Sequence, residues 1–181
     1  MKKLNLSLFF ILLAAWCFAG NAKVLIYGYV TEGNVNQIIK TDKKAETVNL
    51  EGVKIFLYQN GELVKEMNNR NTGFYSLILP TGSTYEIMFE RKGYISKKVQ
   101  ILTEDVPDKQ YDEAFKMITD ISLFPEMEGK DLSDFSQQVV AKCKYNLGKD
   151  RMSWDMVYAR EAFGKFLDLS GVLKEEAMLT E

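Results

Sequence analysis

The chain has 181 residues, 46% hydrophobic and 27% charged, with 23 basic against 25 acidic side chains, two cysteines and no histidine. That length accommodates one domain with an extension, and the composition is ordinary for a globular protein. With no basic surplus to neutralise phosphates, nucleic-acid binding is not expected; without histidine, His-dependent triads, metal sites and general bases are excluded.

Residues 1–22 have the pattern of an export signal. Lys2 and Lys3 form a positive start, the apolar run 6–15 is interrupted only by Ser7, and Ala19, Gly20 and Ala22 supply small residues for cleavage. The run is shorter than the roughly 20 residues a membrane-spanning helix needs. Cleavage after Ala22 starts the mature chain at Lys23, with 21 basic against 25 acidic residues; cleavage after Ala19 is the alternative. Trp16 is too bulky for the position before a lipidated cysteine, so membrane attachment is expected only if Cys17 is acylated. The expected location is the periplasm, the outer-membrane surface or the medium.

Ile26-Tyr27-Gly28-Tyr29-Val30-Thr31 reads as a first strand. A polar connection follows to Asn49, with Gly33, Asn34, Asn36 and the charged cluster 40–44, the composition of a solvated excursion. The stretch 52–101 then alternates with a period of two. Val53, Ile55 and Leu57 share one face, as do Tyr75, Leu77 and Leu79, then Tyr85, Ile87 and Phe89, then Ile95, Val99 and Ile101. Asn60-Gly61 predicts a hairpin, because a type I′ turn requires positive φ at both central residues. The segment 103–113 gathers Glu104, Asp105, Asp108, Asp112 and Glu113, without the ordered spacing of a calcium loop. Residues 115–124 predict another strand, stopped by Pro125.

Several of these residues carry a family resemblance. Gly52-Val53, the run from Asn71-Thr72-Gly73-Phe74-Tyr75 to Leu79-Pro80-Thr81-Gly82, Tyr85-Glu86-Ile87 and Gly93-Tyr94 resemble the carboxypeptidase regulatory-like domain. The resemblance covers about 23–144. It implies a mainly β fold, an antiparallel seven-stranded transthyretin-like (prealbumin-like, Ig-like) sandwich over 23–125. Members of that family serve as accessory modules of peptidases, receptors and adhesins. Leu123-Phe124-Pro125-Glu126 followed by Val140-Ala141-Lys142 resembles the tail of short exported bacterial envelope proteins. The long connection 32–49 departs from the family pattern.

Residues 126–181 form a C-terminal extension. Glu126, Glu128, Asp131 and Asp134 mark an acidic linker, 139–145 a strand, and about 154–169 an amphipathic helix carrying Met156, Ala159, Phe163 and Phe166. Ser153 is the expected N-cap with Asp155 in the first turn, and Ser170-Gly171 the expected end. Cys143 alternates with Val139, Ala141 and Tyr145 and is read as a buried small hydrophobe, the alternative being a reactive thiol.

Placing these faces inward leaves an apolar outward set: Tyr27, Tyr29, Phe56, Tyr58, Phe74, Ile78 and Met88. Either the extension covers it, or a partner does. Tyr27, Tyr29, Phe56, Tyr58 and Phe74 are the candidate binding surface. The favoured function is a non-catalytic envelope protein that binds or supports another envelope protein. The alternatives are a carbohydrate-binding module stacking sugars on these aromatics and, less favoured, a calcium-binding accessory module. No enzyme and no cofactor are expected, since nucleophile-elbow and phosphate-loop motifs are missing and no carboxylate pair is marked.

Overall fold

The computed structural model describes residues 22–34, 48–107 and 114–171. The signal-like segment up to residue 21, most of the polar connection and Asp108, Asp112 and Glu113 lie outside the described residues. Among the described residues ten strands form two stacked sheets. Strands β1 (Lys23–Glu32), β4 (Phe74–Pro80), β7 (Phe115–Ile118) and β8 (Ile121–Leu123) make the first, in the order β4-β1-β7 with β8 also on β1. The second holds β2 (Lys54–Gln59), β3 (Glu62–Asn68), β5 (Thr84–Glu90), β6 (Lys97–Leu102), β9 (Val139–Asn146) and β10 (Arg151–Trp154), in the order β10-β9-β6-β5-β2-β3. The helices are α1 (Ser133–Gln137) and α2 (Met156–Ser170).

The period-two pattern selects the core as expected. Val53, Ile55, Leu57, Tyr75, Leu77, Leu79, Tyr85, Ile87, Phe89, Ile95, Val99 and Ile101 are all buried. Tyr75 meets Phe89 edge-on at 5.1 Å between ring centres, joining the two sheets. The Asn60-Gly61 hairpin closes β2 on β3, with φ of 50° and 89° at its central residues.

Three features differ from the sequence expectations. The 115–124 strand is broken at Thr119-Asp120, and both halves run parallel to β1. The Thr119 amide donates to the Tyr27 carbonyl at 2.9 Å, and its own carbonyl accepts from the Tyr75 hydroxyl at 2.7 Å. Gly28 permits this approach: a Cβ there would stand 2.2 Å from the Thr119 oxygen. Second, β9 does not lie over a sheet face. It extends the second sheet, parallel to β6, and places Cys143 and Tyr145 in the main core. Third, the cap of α2 is Asp155, whose carboxylate accepts from the Tyr158 amide at 3.0 Å, while Ser153 belongs to β10. The helix ends at Gly171, which takes the left-handed conformation with φ 73°.

A smaller core ties the extension to the sandwich. Phe166 of α2 is fully buried, stacked on Phe124 at 4.8 Å and tilted against Phe135 at 5.0 Å. The Lys97 ammonium lies 4.1 Å from the Phe124 ring centre. Burial pushes its pKa down to about 7. The aromatic face and the partial solvent contact that Lys97 retains oppose that shift, since both favour the charged form.

Leu77→Ala is expected to cost about 2–5 kcal/mol of unfolding free energy in urea titrations, whereas Ile78→Ala, on the opposite face of the same strand, should cost less than about 1 kcal/mol. Lys97 sets a second expectation. An unfolded lysine holds its proton to about pH 10.4, so above pH 7 the unfolded state binds more protons than the folded one. Stability should therefore rise from pH 7 to about 8.5, by less than the ~1.4 kcal/mol per pH unit of a single fully shifted proton. Denaturant titrations across that window should show the rise in the wild type and its loss in Lys97→Met, where ionisation of Cys143 in the unfolded state should instead lower stability slightly toward pH 8.5.

Candidate interaction surface

The five candidate aromatics divide between opposite sides of the molecule. In β1 the buried positions Val24, Ile26 and Val30 alternate with Leu25, Tyr27 and Tyr29, which point away from the core. Register places Tyr29 beside Phe74, Tyr27 between Ser76 and Ile118, and Leu25 between Ile78 and Lys116. Tyr27, Tyr29 and Phe74 thus share the outer face of the first sheet with Leu25, Ile78 and Ile118. Phe56 and Tyr58 lie on the outer face of the second sheet. There Phe56 pairs with Glu66 and Met88, and Tyr58 with Leu63 and Glu86. The two groups cannot form one platform.

The first-sheet face is apolar at its centre and charged at its margin. Tyr29 is 43% exposed, Ile78 61% and Ile118 65%. The Tyr29 and Phe74 rings meet edge to face at 5.6 Å, and the Arg70 guanidinium sits 5.3 Å from the Phe74 ring centre. Asp120 accepts from the Tyr29 amide at 2.9 Å. Lys23 and Lys116 complete an exposed rim that is mainly cationic. Phe56, Tyr58 and Met88 are half-buried, and the second-sheet face around them is crossed by the ion pairs Lys54–Glu66 at 3.9 Å and Lys98–Glu86 at 3.6 Å.

Helix α2 lies on the second sheet. The Tyr158 hydroxyl donates to the Val139 carbonyl at 3.0 Å, and the Lys142 ammonium sits 4.4 Å from the Tyr158 ring centre. Lys142 alternates with buried Cys143, which fixes the helix on the outer side of β9.

Sequence reasoning missed a groove at the seam of sandwich and extension. It consists of two adjoining clefts of about 340 and 430 Å³, with Tyr94, Ser96 and Glu126 in the wall common to both. The Tyr94 hydroxyl donates to Glu32 at 2.7 Å, and Arg91 lies 5.0 Å over its ring. The groove's charges are mixed, Arg91 and Lys92 beside Glu90 and Glu126. The wall brings a turn near residue 94 against a linker some thirty positions later, and no local pattern announces that meeting. Among the described residues no three acidic, cysteine or histidine side chains converge as metal ligands, and no helix is long and apolar enough to cross a membrane.

No protein-family model matches the chain, and no curated protein matches it. Solved structures similar to it include the 3-chlorocatechol 1,2-dioxygenase of Rhodococcus opacus, at 10% identity and TM-score 0.40, covering 59% of this chain and 60% of that one. A catechol 1,2-dioxygenase variant from Acinetobacter radioresistens has 12% identity and TM-score 0.42, covering 62% and 55%. The major pilin SpaD of Corynebacterium diphtheriae has 13% identity and TM-score 0.37, covering 59% and 31%. The chain thus spans less than two thirds of the length of each. At these values the likeness is one of β-sandwich architecture and carries no activity across. It does correct the expectation that the chain is not an enzyme. Dioxygenases stand among these structures, and the expectation is withdrawn without an activity being assigned in its place.

Cys143 is fully buried, with its Sγ 3.3 Å from the Met117 Sδ, and burial pushes its thiol pKa up to about 12. A thiolate is the reactive form, so the folded protein should resist thiol reagents at pH 8. Ellman titration should show a rate at least about a hundredfold slower in buffer than in denaturant, and prompt labelling of the native protein would contradict this burial.

Proposed function

We propose that this is an exported cell-envelope protein whose β-sandwich holds another envelope protein against the outer face of its first sheet. The observation that carries the reading is the asymmetry of the two faces. Helix α2 lies on β9 at one side of the second sheet, while among the described residues nothing of the extension lies on the aromatic and aliphatic face of the first. An apolar centre with Tyr and Phe, ringed by charge, is the build of a protein–protein contact. The rim of Lys23, Arg70 and Lys116 against Asp120 favours a partner with an acidic margin.

Export rests on the pattern of 1–22, and the residues quoted above support placement among carboxypeptidase regulatory-like modules. A sugar platform is the weaker alternative. Arg70 already lies over the Phe74 ring, and the Tyr58 side of the molecule is separate.

A photo-crosslinking residue placed at Ile118 should capture an envelope protein in intact cells, whereas the same probe at Tyr58 should not. Tyr29→Ala combined with the Ile118 probe should reduce the adduct by roughly tenfold or more, as loss of an aromatic anchor does. Equal capture from both faces, or from neither, would refute the assignment.

A further inference from the structure

Among the described residues the second sheet is bounded by β3 and β10, and the first by β4 on one side and by β7 and the three-residue β8 on the other; all of these but β4 are protected against pairing. β3 carries Glu62, Lys65 and Glu66 and faces a register shift at Leu57/Tyr58. β10 and β7 are four residues long and include Arg151 and Lys116. Charge, irregularity and shortness are the usual means by which natural sheets block edge-to-edge association. Among the described residues β4 has none of these three, and its one proline, Pro80, stands at the last position of the strand. It runs for seven residues, Phe-Tyr-Ser-Leu-Ile-Leu-Pro, without a charge.

The backbone of β4 defines what this edge can accept. The Val30 amide donates to Gly73 at 2.9 Å and the Thr81 amide to Ala22 at 3.2 Å, so the odd-numbered residues turn their peptide groups toward β1. Phe74, Ser76, Ile78 and Pro80 turn theirs to the open side. The Phe74 carbonyl there accepts from the Arg70 amide at 2.8 Å. Among the described residues, the amides and carbonyls of Ser76 and Ile78 pair with nothing beyond the edge.

We propose that the chain pairs with a second copy of itself along this edge, β4 against β4, antiparallel about a two-fold axis at Leu77. Ser76 then faces the partner's Ile78, and each such pair exchanges two N–H···O bonds. At the ends Phe74 faces the partner's Pro80. Proline has no N–H to give, and the Phe74 carbonyl is already occupied, so neither lacks what the other cannot supply. That match of a missing donor with a filled acceptor singles out a second copy over an arbitrary strand. The pairing also shields Ile78 and merges two first sheets into one, β7-β1-β4-β4-β1-β7, with the isologous contact of a two-fold dimer. It stands independently of any partner on the sheet face.

Analytical ultracentrifugation of the purified chain over a wide concentration range tests it. The wild type and Ile118→Lys, a change on the same face but away from this edge, should both dimerise. Ile78→Lys should weaken the dimer at least about tenfold while keeping a native circular dichroism spectrum. The double variant Ser76→Cys/Ile78→Cys should form disulfide-linked dimers under oxidation, since those positions face each other across the axis. A wild type that stays monomeric, a dimer indifferent to Ile78→Lys, or equal loss in Ile118→Lys would each overturn the proposal.

Discussion

The arrangement of this molecule depends on the close approach of Thr119 to Gly28. Strand β1 is the hub of the first sheet, with β4 antiparallel on one side and β7 and β8 parallel on the other. The crossing between β7 and β8 drives a backbone carbonyl inward to the Tyr75 hydroxyl, through space that a Cβ at residue 28 would occupy. A buried carbonyl left without a donor would cost about 1–3 kcal/mol, so glycine at 28 and tyrosine at 75 act as one device. With it in place, the chain exits at Phe124 and can enter the aromatic cluster of the extension.

From that exit the rest follows topologically. The Tyr94–Pro125 bridge directs the linker past the end of β6, and β9 then runs parallel to β6. Parallel neighbours require a long crossover, here the stretch through β7, β8 and α1. Since β9 belongs to the second sheet, α2 must fold back over that sheet. The extension therefore contributes to both cores, through Cys143 and Tyr145 to the first and through Phe166 to the second. Among the described residues, helix α2 therefore covers the β9 side of the second sheet and leaves the outer face of the first uncovered.

The inner faces were legible in the sequence because alternation is local information. Ile55, Leu77 and Ile87 announce their burial by their neighbours alone, and Asn60-Gly61 announces its turn by the φ values it tolerates. The extension was legible only in its elements. Nothing near Val139 encodes that its strand will lie beside β6, because parallel pairing is non-local. The helix cap was misplaced by two residues for a related reason: β10 pairs with β9 through Trp154, so Ser153 is claimed by a ladder before it can cap. The candidate surface was half legible. Outward aromatics were identifiable by parity, but their division into Tyr27, Tyr29 and Phe74 on one sheet and Phe56 and Tyr58 on the other needed the sheet order.

β-propensity alone would put aromatic and branched residues at outward strand positions, and the second sheet shows what that looks like. Phe56 and Met88 there are interleaved across the strands with Glu66, Glu86 and Lys98, the last two paired with each other at 3.6 Å. The first sheet has no such interleaving. Tyr27 has Ser76 and Ile118 as its neighbours, and Leu25 has Ile78 on one side and a single lysine, Lys116, on the other. Charges that could have been spread across this face stand instead at its margin. Within one chain, under one backbone preference, the two faces solve the same solvation problem differently. The difference is the strongest physical ground for reading the first-sheet face as a contact surface.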